Sequence, residues 1–299
     1  MISICKFCKK NKKKKIVDNI KDFEFGVPGV YSYEQCQFCK LITLNPFPKK
    51  DEIKNFYPEN YISYLKDSSK KGVIYYILEK IYNFLFLSKL KDNIKINSSL
   101  LDVGGGNGDF LKYVEQKNCD LNLIDFDQNV CAIAEAKSIN SFCGFFLDYN
   151  EKKNFDYIFM NNYIEHVIDP VKEIQKAYEL LKKGGKLVGV TPNFDSYDQK
   201  LFGKYWGGNH IPRHTYQYSP EVLKEILEKN NFKDIIISYD INPSHLVLSL
   251  QNFLYKNKLN KLKNGRSKFY NIWLIVFLPI NYIFKICKGS GIMTFSATK

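Results

Sequence analysis

Two similar cysteine pairs near the start of the chain have the spacing of metal ligands. Cys5 and Cys8 enclose Lys-Phe, Cys36 and Cys39 enclose Gln-Phe, and 27 residues separate the two pairs. Two thiolates that are two residues apart fit one face of a tight turn, and two such turns can close a tetrahedral four-cysteine site for structural Zn²⁺. Redox pairs and chance spacing are the alternatives. We predict a zinc ribbon over residues 1–50.

A glycine-rich turn in the middle of the chain predicts a ligand site. The apolar run that ends at Val103 is followed by Gly104, Gly105, Gly106 and Gly108, and a helical pattern starts directly afterwards. Such a turn lets a ligand lie against the backbone at a helix N-terminus. The spacing G-x-G-x-G differs from the dinucleotide pattern, and no Gly-Lys-Ser/Thr follows, so a pyrophosphate is not the expected ligand. A purely structural turn is the alternative.

Two carboxylates downstream of this turn fit the parts of a nucleoside. Asp125 lies 19 residues after Gly106, at the end of the second predicted strand, where an acid can hold a ribose hydroxyl pair. Asp148 ends the third predicted strand, and its carboxylate could accept the amino group of an adenine.

Alternating strand and helix patterns predict the α/β framework that positions these residues. Such alternation is typical of a parallel, doubly wound sheet with helices on both faces. The predicted strands are Ser99–Val103, Leu121–Asp125, Phe142–Leu147, Phe155–Asn161, Lys186–Thr191, Ile235–Tyr239 and Ile292–Ala297. The predicted helices include Asp109–Gln116, Gln128–Lys137, Pro170–Lys182 and Pro220–Asn230, with Gly184-Gly185 as a helix stop.

The patterning also divides the chain. After the predicted ribbon we expect an aromatic linker and helical segment over residues 51–94, and then one domain over residues 95–299. About 50 residues separate the last two predicted strands, and their apolar spacing predicts a basic amphipathic helical insertion at about 242–290.

Five motifs in a fixed order resemble one enzyme family. They are the glycine turn Leu100–Phe110, Asp125, Asp148, the strand and exit Asn154–Val167 with Asp169-Pro170, and Leu180–Val188. This order resembles the class I S-adenosylmethionine-dependent methyltransferases over roughly residues 95–240. The resemblance implies a Rossmann-like seven-stranded, mostly parallel sheet and S-adenosylmethionine as methyl donor.

The resemblance also implies roles for individual residues. The amino-acid end of the cofactor and the turn fall to Asp102, Gly104, Gly105, Gly106 and Gly108. The ribose, the adenine face, the adenine edge and the methyl-delivery point fall to Asp125, Phe126, Asp148 with the Tyr149 backbone, and Asn161.

A narrower resemblance concerns the methyl acceptor. A four-cysteine ribbon and an aromatic segment before this domain are similar to bacterial methyltransferases that modify sugars and surface-glycan precursors, including sugar-nucleotide C-methyltransferases. The segment Phe202–Ser219 resembles their acceptor loop, with His214 before Tyr218-Ser219. Arg213 stands where an acid often precedes that histidine, and we expect the protein to lack the large further C-terminal domain of those enzymes. We therefore expect O-methylation of a sugar or glycan precursor.

Three of the four histidines are candidate general bases. His166 follows the fourth predicted strand, and His214 and His210 lie in the acceptor loop. An ordinary histidine pKa near 6.5 suits proton removal at neutral pH. We select His166 and His214 as the candidate catalytic residues; a structural role is the alternative for each.

Charge and composition bear on other functions. The formal net charge is +13, but only two of the 44 basic residues are arginines. Arginine provides the planar fork that nucleic-acid recognition favours, and the strand exit Asn-Asn-Tyr-Ile lacks the paired prolines of amino-base methyltransferases, so nucleic acid is a disfavoured partner. A quinone or lipid acceptor stays open, because quinone methyltransferases share the Glu165-His166-Val167 exit. A noncatalytic zinc-bearing binding module is a further alternative.

The C-terminal segment suggests a membrane surface. Residues 245–299 contain nine basic residues and no acid, and the apolar runs 73–90 and 272–284 fall short of the roughly 20 apolar residues that span a bilayer. No secretory signal is visible at the N-terminus. We expect a cytoplasmic protein whose segment 245–290 contacts the inner face of the membrane, with a helical layer or a dimer contact as the alternative.

Overall fold

The computed structural model describes residues 4–57 and 88–299. The predicted aromatic and helical segment of residues 51–94 therefore lies mostly outside the described residues. Its described ends are a short 3-10 helix at Ile53–Phe56 and the helix α1 (Ser88–Asn93).

A seven-stranded sheet forms the centre of the described fold, as predicted. Its strands in spatial order are β10-β11-β8-β7-β4-β5-β6, and β11 runs antiparallel to both of its neighbours while the others are parallel. The ranges in chain order are β4 (Ser99–Val103), β5 (Asp120–Asp125), β6 (Asn140–Cys143), β7 (Phe155–Asn161), β8 (Leu181–Pro192), β10 (Lys233–Tyr239) and β11 (Ile292–Thr298).

Helices cover both faces of this sheet. They are α2 (Asp109–Val114), α3 (Gln128–Glu135), α4 (Pro170–Leu180), α5 (Tyr197–Phe202) and α6 (Pro220–Lys229). Successive strand side chains point to opposite faces, so Leu100 packs in a core with α2 and α3, whereas Leu101 packs in a core with α4 and α6. Sequence signals start two of these helices: the side chains of Asp169 and Ser219 accept N-terminal N–H bonds, and proline follows each.

The predicted third strand, Phe142–Leu147, is wrong in its bounds. The strand is β6, which ends at Cys143, and a 3-10 turn occupies Phe146–Asp148. The run after Gly144 is apolar for a different reason, because the Phe146 ring is buried and meets the Tyr163 ring edge-on at 6.4 Å. Asp148 therefore ends a turn and not a strand.

The predicted helix stop at Gly184-Gly185 is also wrong. The helix α4 ends at Leu180, and β8 begins at Leu181, which is buried in the core and pairs with Phe155 of β7. The two glycines lie within β8, where the pairing with β7 shifts register between Leu181 and Lys186. Gly184, at φ 78°, lies inside this irregular stretch, in a backbone region that favours glycine.

A second, four-stranded sheet carries the cysteine pairs. Its strands β1 (Lys13–Ile20), β2 (Tyr31–Cys36) and β3 (Ile42–Asn45) are antiparallel, and β3 also pairs with the two-residue strand β9 (Tyr216–Gln217). The segment that contains His214 therefore extends the cysteine-bearing sheet.

The predicted helical insertion lies between β10 and β11. It contains α7 (Ser244–Tyr255) and α8 (Tyr270–Ile286), and both Asn264 and Gly265 between them have positive φ. Many apolar side chains of α8 are exposed, among them Ile272, Ile275, Val276 and Ile283. No helix in the described part of the chain has both the length and the apolar content needed to span a membrane.

Candidate functional site

The glycine turn after β4 leaves free space beside the backbone at one of its glycines. Gly104, Gly106 and Gly108 have φ of 69°, 56° and 76°, a region that favours glycine. A Cβ on Gly104 would lie 2.7 Å from the Tyr163 ring, and one on Gly105 would lie 2.7 Å from the Asp102 carboxylate. A Cβ on Gly106 would meet nothing within 4 Å. The backbone at Gly106 is therefore accessible to a ligand.

Asp125 connects the end of β5 to this turn. One of its carboxylate oxygens accepts the N–H of Gly106 at 3.2 Å, and the other accepts the N–H of Asp127 at 3.0 Å. Burial raises the pKa of Asp125, and burial together with the nearby Asp125 charge raises the pKa of Asp102 well above its usual range. Two buried acids that face one turn favour a ligand with hydroxyl or ammonium donors.

The end of β7 presents an unpaired amide. The Nδ2 atom of Asn161 is buried and has no hydrogen-bond partner among the described residues. A buried donor without a partner is costly, so it marks a place where a ligand acceptor fits. The accessible backbone at Gly106 and the unpaired donor on Asn161 both fit S-adenosylmethionine as the ligand of this site.

The residues that the resemblance predicts to bind the adenine differ in their surroundings. The Phe126 ring stacks with Phe145 at 6.0 Å and lies 5.8 Å from the Tyr57 ring, so an aromatic surface follows β5. Tyr149 is buried. The Asp148 side chain is 55% exposed and pairs with Lys50 at 3.2 Å, so in this structure its carboxylate is engaged with a lysine at the surface.

The acceptor loop brings three of the four histidines together. The His166 and His214 ring centres are 4.6 Å apart, and His210 lies 5.0 Å from His214. Thr215 fixes this arrangement, because its N–H and hydroxyl donate to the Glu165 carbonyl at 2.8 and 3.0 Å. Both predicted catalytic histidines thus lie at one place, next to the exit of β7.

Each of these rings uses Nδ1 for its hydrogen bonds. The Nδ1 atom of His166 lies 3.2 Å from the Arg213 carbonyl oxygen and 3.0 Å from the Tyr57 hydroxyl, and that of His214 lies 2.8 Å from the Gly208 carbonyl oxygen. A carbonyl oxygen only accepts, so both Nδ1 atoms carry hydrogen and both Nε2 atoms carry a lone pair in the neutral rings.

Burial shifts the protonation of this cluster. It lowers the pKa of His166 to about 3 and that of His214 well below its usual range, so both rings are neutral near pH 7. It raises the pKa of Glu165 to about 8. A neutral ring with so low a pKa is a weaker base than an exposed histidine, and the general-base role stays a prediction.

The four ribbon cysteines converge as predicted. Their sulfur atoms all lie within 4.8 Å of one another, with Cys5–Cys39 at 3.5 Å and Cys8–Cys36 at 3.4 Å, and none forms a disulfide. Tetrahedral zinc with Zn–S bonds near 2.3 Å separates its sulfurs by about 3.8 Å. The donor set and its size therefore fit a structural Zn²⁺.

Sequence reasoning missed the contacts behind the histidines. The Tyr33 hydroxyl on β2 lies 3.0 Å from the carbonyl oxygens of both Asn209 and His214 and shares its one hydrogen between them. The Arg213 guanidinium, fully buried, pairs with Asp22 at 3.2 Å, and His210 pairs with Glu24 at 2.9 Å. The sequence feature that could have indicated these contacts is the presence of two acids, Asp22 and Glu24, in a lysine-rich segment.

Comparisons with known proteins agree with this geometry. The family described as "Methyltransferase domain" matches residues 72–236, more than half of the chain. The ubiquinone biosynthesis O-methyltransferase of Cereibacter sphaeroides is 26% identical over 145 residues, which are 44% of this chain and 58% of that protein. Phosphoethanolamine N-methyltransferase 2 of Caenorhabditis elegans is 26% identical over 171 residues, which are 50% and 37% of the two chains.

A solved structure shares the fold. Phosphoethanolamine N-methyltransferase 2 of Haemonchus contortus, in complex with S-adenosyl-L-methionine, superposes with a TM-score of 0.51 at 19% identity, over 86% of this chain and 62% of that one. The chain spans 55 to 64% of the length of the first curated relatives that it matches. The family match and the seven-stranded sheet together show that this chain belongs to the class I S-adenosylmethionine-dependent methyltransferase domains.

Proposed function

We propose that this protein transfers a methyl group from S-adenosylmethionine to a hydroxyl oxygen of a sugar or glycan precursor used for surface polysaccharide. One relationship carries the proposal: the unpaired Nδ2 of Asn161 and the Glu165–His166 segment lie at the exit of one strand, and that exit is bonded to the acceptor loop through Thr215. A donor site and a polar acceptor site thus adjoin one another.

S-adenosylmethionine supplies a methyl group that its sulfonium has already activated. The acceptor hydroxyl must lose its proton, its oxygen forms the new C–O bond, and the electrons of the broken C–S bond stay on sulfur. Gly106, Asp125 and Asn161 bind and orient the donor in this proposal, and His166 and His214 act on the acceptor hydroxyl. Asp102 and Phe126 hold the two ends of the donor.

The four-cysteine cluster is proposed to hold one structural Zn²⁺. Cys5, Cys36 and Cys39 are buried in the same core as α6, and the strand that follows the second pair, β3, pairs with β9 of the acceptor loop. Metal binding would therefore stabilise the acceptor side of the site as well as the ribbon.

A quinone or lipid acceptor is the second candidate. The ubiquinone biosynthesis O-methyltransferases that this chain matches favour it, and so does the Glu165-His166-Val167 exit predicted to be shared with quinone methyltransferases. The exposed apolar residues of α8, in a segment without acids, are also compatible with a lipid-linked glycan acceptor at a membrane surface.

Methyl transfer from labelled S-adenosylmethionine tests the proposal directly. The purified full chain is incubated with sugar nucleotides, glycan fragments and quinone analogues, and labelled products are separated. We expect a labelled sugar O-methyl ether, and we expect His166→Ala and His214→Ala to lose roughly 10² to 10⁴ in turnover while they still bind the donor. A labelled quinone alone would establish the second candidate, and activity within a few-fold of wild type in both variants would remove the histidines from the reaction.

A further inference from the structure

A buried cluster of one carboxylate and two imidazoles lies beside the end of β7. One carboxylate oxygen of Glu165 and one ring nitrogen each of His166 and His214 lie within 4.8 Å of one another. Glu165 is 0% exposed and His214 is 5% exposed. Polar groups at this depth are costly unless each finds a partner.

The two imidazoles are held in the form that binds metal ions. Their Nδ1–H groups donate to backbone carbonyl oxygens, that of His166 to Arg213 and that of His214 to Gly208. Histidine ligands of metals commonly donate their other ring N–H to a carbonyl oxygen, which fixes the ring and leaves the second nitrogen for the ion. The Nε2 lone pairs of both rings are available in this way.

The carboxylate completes a set of acceptors. Its Oε2 atom accepts from the Thr191 hydroxyl at 3.0 Å, whereas Oε1 is buried and has no hydrogen-bond partner among the described residues. An ionised carboxylate only accepts hydrogen bonds. Two imidazoles and a carboxyl group with one unpaired oxygen therefore lie together, and a cation bound among them would take the place of the carboxyl proton.

The nearby charged side chains have partners of their own. The Arg213 guanidinium pairs with Asp22 at 3.2 Å and also donates to the carbonyl oxygens of Phe56 and Ile211. His210 pairs with Glu24 at 2.9 Å. Both groups thus bond to residues other than Glu165, whose proton a metal ion would replace on binding.

We propose that Glu165, His166 and His214 bind a divalent metal ion of the zinc type, at a site separate from the four cysteines. Imidazole and carboxylate ligands suit Zn²⁺, with bonds of about 2.0 to 2.2 Å. Tetrahedral ligands at that bond length are about 3.3 Å apart, so binding would draw the three atoms together by at most about 1.5 Å. Three protein ligands leave a fourth position open, the pattern of catalytic zinc sites.

The role of the ion rests on the proposed function. The fourth position suits the oxygen of an acceptor hydroxyl, whose pKa a bound Zn²⁺ lowers. The hydroxyl proton passes to solvent, the oxygen then attacks the sulfonium methyl carbon, and the C–S electrons leave with sulfur as S-adenosylhomocysteine. His166 and His214 would in that case position and activate the acceptor as ligands of the ion.

Zinc content of matched variants tests the site. The full chain and its variants are dialysed against micromolar Zn²⁺ and then against metal-free buffer, and zinc per chain is measured by mass spectrometry. Glu165→Gln and His214→Gln remove a ligand at nearly constant size. His245→Gln is the matched control, because His245 is partly buried and its Nδ1 also lies at hydrogen-bond distance, 3.0 Å, from a carbonyl oxygen, that of Gly291.

We expect Glu165→Gln and His214→Gln each to contain about one zinc fewer than His245→Gln and wild type. In the wild-type protein, Co²⁺ bound by Glu165, His166 and His214 should give visible absorption bands. It should not give the near-ultraviolet thiolate charge transfer that Co²⁺ in the cysteine site gives. Equal zinc in all four proteins would overturn the proposal and leave a shared proton between Glu165 and a histidine. S-adenosylmethionine binding checks folding, and His166→Gln replaces a variant that does not fold. Methyl transfer is scored separately, so an inactive protein with this zinc refutes only the proposed function.

Discussion

The hydroxyl of Tyr33 lies 3.0 Å from the backbone carbonyl oxygen of His214. The two residues are 181 positions apart, and the contact joins the cysteine-bearing sheet to the candidate active site. The same hydroxyl also donates to the Asn209 carbonyl oxygen and accepts from Gln217 Nε2 at 3.1 Å. The ribbon therefore supports the loop that carries the candidate catalytic histidine.

Replacing this tyrosine tests that support. Tyr33→Phe leaves buried carbonyl groups without a donor, so we expect a loss of about 1 to 3 kcal/mol in the free energy of unfolding. Tyr31→Phe on the same strand is the control, because the bond that its hydroxyl makes to the Pro28 carbonyl oxygen is long, at 3.5 Å, and exposed. Thermal unfolding of both variants is the measurement. Equal melting temperatures for the two variants would show that the contact does not stabilise the loop.

Cysteine variants test the structural zinc. Cys36→Ser/Cys39→Ser should lose about one equivalent of zinc and unfold at lower temperature, because thiolate ligation supplies folding free energy to a small ribbon. The control is Cys143→Ser/Cys287→Ser, since both of these thiols are exposed and lie outside the cluster. Metal analysis of freshly purified protein decides the question, and full zinc retention by the first variant excludes these ligands.

Asp240 predicts a pH dependence of stability. Burial raises its pKa to about 6, partly offset by Lys285. An acid whose pKa is raised by folding favours the folded state at low pH, and this contribution is lost as pH rises through about 6. Asp240→Asn removes the cost of the buried charge, so its gain over wild type should grow by about 1.4 kcal/mol between pH 5 and pH 8.

Denaturant unfolding at the two pH values measures this growth. Asp234→Asn on β10 is the control, because Asp234 is exposed. Its effect should stay within about 0.5 kcal/mol at both pH values. A pH-independent effect of Asp240→Asn would refute the raised pKa.

The exposed face of α8 predicts salt-sensitive binding to anionic vesicles. Val276 and Ile283 lie two turns apart and are 58% and 56% exposed. Val276→Asp/Ile283→Asp should abolish co-sedimentation with phosphatidylglycerol vesicles at low salt, because it removes apolar contact and adds negative charge. Leu201→Asp/Ile236→Asp, which changes apolar residues that are even more exposed but lie elsewhere, should still sediment. If the wild-type protein does not sediment at low salt, α8 is a packing surface.

The sequence allowed much of the sheet to be predicted, because its strands are short apolar runs bounded by turns. The predicted bounds of β4 and β7 match the structure residue for residue. The local sequence pattern predicted the wrong element where contacts between distant parts of the chain decide the structure. Phe146 fits the pattern of a strand because it is apolar. In the structure it lies in a 3-10 turn, and its buried ring packs against Tyr163.

The candidate site shows the same division. The four cysteines could be grouped from their spacing, because ligand geometry is local within each pair. The two-residue strand β9 could not be predicted, since its pairing with β3 joins Thr43 to Tyr216 and leaves no periodic pattern. Glu165 could not be identified as part of a cluster, because a single carboxylate gives no spacing signal until the fold places His214 beside it.

S-adenosylmethionine affinity of two glycine variants tests the central claim most directly. Gly106 and Gly184 both have positive φ, 56° and 78°, and open space where a Cβ would lie, so leucine should strain both to a similar degree. Only Gly106 lies at the predicted cofactor turn. Calorimetry should find that Gly106→Leu abolishes binding, that Asp125→Ala weakens it, and that Gly184→Leu binds like wild type. Unchanged affinity in both Gly106→Leu and Asp125→Ala would contradict the assignment of this turn to S-adenosylmethionine.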